Sequence, residues 1–290
     1  MPKRIGNTQT STLAGHSDIL DINSHKKLVA QDVYPDTAND VVRGVRFVFG
    51  SGYLSRTFTN NNGGDWTWSG WIKRSTFGSG FGTIFYASST SNPYYQSGIT
   101  FDTSSELQYY QFSNANARYV DAQSTALFRD VGSWYHIVCR YDNSDKIKLY
   151  VNGAEVASDS VSSTHQFINK TTYPHYIGNY TYQSNPGGTF DGYMTNIHFV
   201  DGQTLLPTDF AYYDTGTKQW KPKAYGGTYG TNGFYLPMRT GQYTQDETGT
   251  ALSLINNTIV KGFKPQTNFN FGSFYFDGTN DYVEFNDGAT

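Results

Sequence analysis

Cleaving a polysaccharide takes two carboxylates facing each other across a sugar, one held as an acid and the other acting as base or nucleophile. This chain of 290 residues has four glutamates to offer, Glu106, Glu155, Glu247 and Glu284. Asp102 with Glu106, and Glu155 with Asp159, stand four residues apart. The first pair is split by Thr103-Ser-Ser105, which reads as a turn. The second could share a strand face, but Glu155 follows Asn152-Gly153, an ordinary polar place in a hairpin. Asp142 and Asp145 fall in another turn, where capping their own backbone is the expected role. The six histidines show neither His-x-x-x-His spacing nor company with cysteine, so nothing supports a transition-metal site. Cys139, the single cysteine, lies inside a strand pattern and reads as a small buried hydrophobe rather than a reactive thiol. No glycine-rich loop precedes a helix. These residues point away from an enzyme.

Binding is better served. Tyrosines number 24, and several stand in pairs or in loops: Tyr94 and Tyr95 beside Pro93, Tyr109 and Tyr110, Tyr180 and Tyr182, Tyr212 and Tyr213. Adjacent aromatics on a strand point to opposite faces, so each pair should send one ring inward and one outward. An outward phenol offers a flat apolar face and a hydroxyl, suited to stacking on a sugar or packing against a protein. The competing assignment places many of these rings in the core or between subunits.

The elements that must carry such rings are strands. Hydrophobic residues make up only 37% of the chain while aromatics reach 17%, so a core built from fewer, larger side chains is expected. Alternation with period two predicts strands at Val45–Phe49, Gly52–Arg56, Trp66–Lys73, Gly82–Tyr86, Gly98–Asp102, Leu107–Phe112 and Arg118–Val120. It predicts others at Trp134–Tyr141, Lys146–Val151, Glu155–Ser160, Tyr173–Ile177 and Phe190–Val200. Helix signals are nearly absent, and beyond Asp201-Gly202 the chain reads as loop. Two packed antiparallel sheets follow. A net charge of −3 argues against nucleic-acid binding, and no apolar run approaches the length of a membrane helix. Met1-Pro-Lys-Arg4 leads into no apolar segment, so no export signal is expected.

Three stretches carry a resemblance. Trp66-Thr-Trp-Ser-Gly-Trp-Ile-Lys-Arg74, then Trp134-Tyr-His leading into Leu149-Tyr-Val-Asn-Gly153, then Phe190-Asp-Gly-Tyr-Met-Thr-Asn-Ile-His-Phe199 resemble the concanavalin A-like, laminin-G-type β-sandwich family over roughly residues 44–238. The resemblance implies an all-β antiparallel sandwich of jelly-roll type, with His136 part of the packing. Glycan-cleaving members present their acids in a Glu-x-Asp-x-x-Glu run or similar, and no such run occurs here. Laminin-G-type sandwiches often hold calcium on a sheet rim, which implies Asp191 with Asp201, or Asn179 with Asn185, as oxygen ligands. No other cofactor is implied.

The segment after the last strand narrows the resemblance. Val200-Asp-Gly-Gln, Leu205-Leu-Pro-Thr-Asp-Phe210, Trp220-Lys-Pro-Lys223 and Gly227-Thr-Tyr-Gly-Thr-Asn-Gly-Phe-Tyr-Leu236 are similar to sandwich proteins of tailed bacteriophages. That similarity implies a virion protein of the tail or tail fibre, made in the host cytoplasm and contacting host-surface polysaccharide, with trimers expected by analogy. An architectural protein, a capsid decoration or adaptor, is the alternative, and a glycan depolymerase a distant third. Residues 1–43 are expected to form an extended attachment arm for other virion proteins, and 44–240 the sandwich. Residues 241–290 read as a linker followed by Gly272–Phe285, which parallels Gly44–Arg56. That repeat is either the start of a second sandwich or an extra strand pair.

Overall fold

The computed structural model describes residues 43–248, except 51–52, 61–63, 78–79, 90–94, 113–117, 161–166, 183–184, 187–188 and 239–245, together with the strands at 255–256 and 266–267. The arm expected over 1–43, apart from Arg43 at the start of the first strand, and the repeat at 272–285 lie outside the described residues.

Two antiparallel sheets pack face to face. One runs in the order β10 (Ala154–Ser160), β9 (Lys146–Val151), β8 (Tyr135–Tyr141), β3 (Trp66–Arg74), β14 (Gly192–Asp201), β1 (Arg43–Phe47) and β19 (Gln266–Thr267). Beside the far half of β14 lies β17 (Phe234–Leu236). The other runs β18 (Ile255–Asn256), β2 (Leu54–Thr57), β11 (Pro174–Ile177), β4 (Gly82–Ser88), β5 (Gln96–Phe101), β6 (Glu106–Phe112) and β7 (Arg118–Leu127). We call these the front-strand sheet and the platform sheet. Two ribbons stand apart, β12 (Thr181–Tyr182) with β13 (Asn185–Pro186), and β15 (Ala211–Asp214) with β16 (Gln219–Pro222).

Every strand expected from alternation is present, and the alternation explains the core. On β3, Trp66, Trp68 and Ile72 point inward, where Trp66 stacks on Tyr141 with centroids 5.7 Å apart and planes 7° from parallel. Between Trp68 and Ile72 stands Gly70, and a Cβ there would lie 2.5 Å from the Trp68 ring, so only glycine lets the indole lie over the strand. Cys139 is fully buried beside them as a packing residue, and burial pushes its thiol well up. The turn at Asp142 caps itself as expected, its Oδ1 accepting from the Ser144 amide at 3.0 Å.

Where the sequence reads as loop, the structure builds a third layer. After β14 come a single helical turn, α1 (Pro207–Phe210), and then the β15–β16 ribbon, closed by Asp214 Oδ1 accepting from the amides of Gly216 (2.8 Å) and Thr217 (3.2 Å). These elements are too short for a periodic signal. They lie on the outer side of the front-strand sheet, where Val138, Tyr150 and Val200 pack with Phe210, and Trp71 packs with Ala211.

The layer is anchored at the end of β14. Asp201 is 4% exposed, and its carboxylate accepts from Asn169 Nδ2 at 2.6 Å and the Asn232 amide at 3.0 Å. Asn232 Nδ2 in turn donates to Asn169 Oδ1 (2.8 Å) and the Asn60 carbonyl (2.7 Å). Removing the carboxylate strands two buried donors, each costly away from water. Asp201→Ala is therefore expected to lower stability in urea unfolding by at least about 2 kcal/mol. Glu155→Ala, which loses a surface pair with Lys148 at 3.0 Å, should cost less than about 1 kcal/mol.

Candidate functional site

The outer face of the platform sheet collects aromatic and amide side chains. Tyr86 on β4, Tyr110 on β6 and Tyr176 on β11 share this face, because each alternates with an inward residue of its strand. Tyr180 leans over it, with its ring 5.6 Å from Tyr86, and Tyr176 bridges Tyr86 (6.4 Å) to Tyr53 (5.8 Å). Gly98 on β5 makes the close approach possible, since a Cβ there would meet the Tyr86 ring at 2.9 Å. Tyr53, Tyr176 and Tyr180 are half-exposed, while Tyr86 and Tyr110 form the floor. Burial raises the pKa of both floor phenols, so they remain neutral hydroxyls.

A polar ladder continues the row. Gln108 Nε2 donates to Asp121 Oδ1 (2.6 Å), Gln123 Nε2 donates to Glu106 Oε2 (2.5 Å) and Asp102 Oδ2 (3.1 Å), and Arg118 pairs with Asp121 while lying 4.9 Å over the Phe112 ring. The turn at 103–105 thus brings Asp102 and Glu106 onto one glutamine instead of separating them. Both act as acceptors there, and Asp102 Oδ1 caps the amides of Ser104 (2.9 Å) and Glu106 (2.8 Å). Glu155 and Asp159 do not share a face. A bulge between Glu155 and Ala157 reverses the alternation, so Glu155 meets Lys148 while Asp159 Oδ2 accepts from the Asp121 amide at 2.8 Å.

The expected tyrosines divide. Tyr110 and Tyr180 join the platform. Tyr109 is fully buried against Trp66 and is corrected from a binding to a core residue, as the alternation of the pair requires. Tyr95 is half-buried and stacks on Phe167 at 5.1 Å, away from the platform row. Tyr212 and Tyr213 lie on the β15–β16 ribbon, Tyr213 at 53% exposure. Tyr94 and the side chains of Tyr182 and Asn185 are outside the described residues. Tyr53, Tyr86 and Tyr176 were missed, although the alternation of β4 and β11 marks the last two as outward.

The Asp191–Asp201 calcium pair is not assembled. Asp191 and Asp201 lie at opposite ends of β14, roughly 30 Å apart for a ten-residue strand, and each is engaged elsewhere, Asp191 with Arg46 and Asp201 with Asn169 and Asn232. Asn179 is fully buried. Among the described residues no cluster of three histidine, cysteine or acidic side chains is poised for a metal.

With this geometry the kinship is clear. A sequence model of the family described as the concanavalin A-like lectin/glucanases superfamily matches residues 49–207, more than half of the chain. The chain belongs to that superfamily. No curated protein matches its sequence. Among solved structures, this concanavalin A-like chain is similar to a protein of Bacteroides ovatus described as carbohydrate binding, at 16% identity and TM-score 0.55 over 79% of this chain and 60% of that one. It thus spans less than two thirds of that protein. Others include the SAP-like pentraxin of Limulus polyphemus (17% identity, TM-score 0.43, 58% of this chain and 80% of that one). Another is the CBM40 of Ruminococcus gnavus IT-sialidase bound to α2,3-sialyllactose (12%, 0.44, 59% and 96%). Identities this low speak for the fold alone.

Three buried histidines report on the folded state, His175 within the sandwich and His136 and His198 beneath the third layer. Burial pushes His136, His175 and His198 each down to about 3. The Trp220 indole donates to His136 Nδ1 at 3.0 Å, so the proton sits on Nε2 and faces Ser69 Oγ at 2.9 Å. The unfolded chain takes up protons near pH 6.5 that the folded chain refuses. Stability is therefore full above that pH and falls as acid is added toward pH 3, by up to about 1.4 kcal/mol per pH unit for each histidine. The expected readout is that none of the three imidazoles titrates in the folded protein between pH 8 and 5, followed by NMR, while the urea midpoint drops below about pH 6.5.

Proposed function

We propose that this protein is a non-catalytic, glycan-binding sandwich of a tailed bacteriophage, carried in the tail or tail fibre and contacting host-surface polysaccharide. The observation that carries the binding role is the platform: half-exposed Tyr53, Tyr176 and Tyr180 stand in one row with the amides and charges of Gln123, Asp121 and Arg118. Rings of that kind take the apolar face of a sugar, and the amides and carboxylates take its hydroxyls. A flat open sheet suits a polymer lying across strands better than a small solute. The superfamily includes lectins, and the Bacteroides ovatus protein is described as carbohydrate binding. The phage assignment rests on the resemblance of the segment 200–236. Copies displayed together turn weak single contacts into firm attachment.

The architectural alternative draws on another surface. The loops at the end of the sandwich where β1 and β3 finish expose Phe49 (52%), Phe77 (49%) and Phe81 (41%), an apolar rim suited to protein packing. Binding of the full chain to host-surface polysaccharide, measured by biolayer interferometry, separates the two. Tyr176→Ala and Tyr180→Ala are each expected to weaken it about three- to tenfold, the worth of one aromatic contact, while Phe77→Ser leaves it unchanged. Binding lost with Phe77→Ser, or indifferent to both tyrosines, would favour the architectural reading. Antibody fragments against residues 44–240 are expected to label the distal tail of intact virions in electron micrographs, and label confined to the capsid would overturn the tail assignment.

A further inference from the structure

The third layer does not close completely over the front-strand sheet. Between them lies a cleft of about 220 Å³, lined by Trp71 of β3, Asn196 and His198 of β14, and Lys223, Tyr225 and Tyr229 of the covering segment, with Tyr235 and Glu247 completing it. We propose that this cleft is a second binding site, for a single pyranose ring at a glycan's end or branch. It faces away from the platform and stands whether or not the platform binds.

Three features argue for a built site rather than a packing defect. First, the rings are fixed in place. His198 stacks on Tyr235 (4.3 Å, 10° from parallel), its Nδ1 lies 2.7 Å from the hydroxyl of Tyr229, whose ring is 5.9 Å away, and Tyr225 stands edge-on to Tyr229 at 88°. Second, β14 bulges at this point. Its register against β3 slips between Thr195 and His198, with Asn196 at φ +45°. Such a conformation is unfavourable for a side-chain-bearing residue, and bulges re-aim side chains near functional sites. Here it sets Asn196 in the cleft wall, where Oδ1 accepts from the Tyr235 hydroxyl at 3.1 Å. Third, a buried fastening brings in Glu247, since Asp246 Oδ1 accepts from the Tyr235 amide and the Glu247 amide donates to the Tyr235 carbonyl, both at 3.0 Å.

The lining decides the class of ligand. It carries one cation, Lys223, and one carboxylate, Glu247, so it has no net charge with which to select an ion. Aromatic faces beside an amide, an ammonium and a carboxylate match a ring with apolar C–H faces and a rim of hydroxyls. The volume is too small for a stretch of polymer, so the occupant is one ring.

The test uses methyl glycosides of glucose, galactose, mannose, rhamnose and N-acetylglucosamine, each titrated into the full chain while the Trp71 indole N–H is followed by NMR. At least one is expected to shift that signal saturably in the millimolar range. Asn196→Gly keeps the left-handed backbone and removes the amide, so the fold should hold, and affinity should fall about tenfold. Lys223→Gln should weaken the same ligand with only a small change in melting temperature, since the bond it loses, from Lys223 Nζ to the Thr208 carbonyl (3.0 Å), is exposed. No saturable shift from any of the five, an equal shift in Asn196→Gly, or a shift from tetramethylammonium alone would overturn the proposal. A shift at Trp71 that survives Tyr176→Ala and Tyr180→Ala separates this site from the platform.

Discussion

The structure depends on a sheet that is apolar on both faces. Trp66, Trp68 and Ile72 turn one side of β3 into the sandwich core, yet Trp71, between them in sequence, points the other way with Val138, Val200 and the imidazoles of His136 and His198. Two layers cannot bury such a sheet, so the chain must fold back over it. The segment from Gln203 to Asn232 does so, and its grip is polar as well as apolar. Trp220 hydrogen-bonds His136, Tyr229 meets His198, and Asn232 closes the buried network around Asp201. The neutral histidines follow from this burial. They are polar groups that satisfy the cover's donors and acceptors without bringing a charge into a dry interface.

That arrangement divides labour between the two outer faces. The front-strand sheet is roofed, and only a confined cleft remains where the roof meets the bulge of β14. The platform sheet keeps an aromatic row at its surface, because Tyr86 and Tyr110 fill the floor and raise Tyr176 and Tyr180 above it. A single glycine, Gly98, permits that packing. On the proposed reading, the contrast in shape is a contrast in what each face would hold: an extended chain on the platform and one ring in the cleft.

The sandwich was legible wherever strands were long enough to show a period. Trp66-Thr-Trp-Ser-Gly-Trp-Ile and Tyr135-His-Ile-Val-Cys-Arg-Tyr alternate through the core, and the Tyr109-Tyr110 pair divides inward and outward as alternation requires. The cover was not legible, because β15, β16 and β17 have three or four residues each and owe their form to partners far away in sequence. Asp201 shows the same limit. Its chemistry suggested an ion ligand, but its fate was set by Asn169 and Asn232, which spacing along the chain cannot bring together. The bulge in β10 that separates Glu155 from Asp159 likewise has no signature in the residues that form it. Among the cleft residues, neither Trp71 nor Asn196 was singled out in the sequence, although the alternation of β3 sets Trp71 opposite Trp66, Trp68 and Ile72, and Asn196 became visible only with its positive φ.

On the proposed function, the platform is the face that meets polysaccharide. Amide hydrogen exchange of the full chain, with and without host-surface polysaccharide, tests it most directly. Added protection confined to the β4–β6 strands, the segment 176–180 and β7 is expected. Protection concentrated in the loops carrying Phe49, Phe77 and Phe81, or none at a polysaccharide concentration that saturates binding, would contradict it.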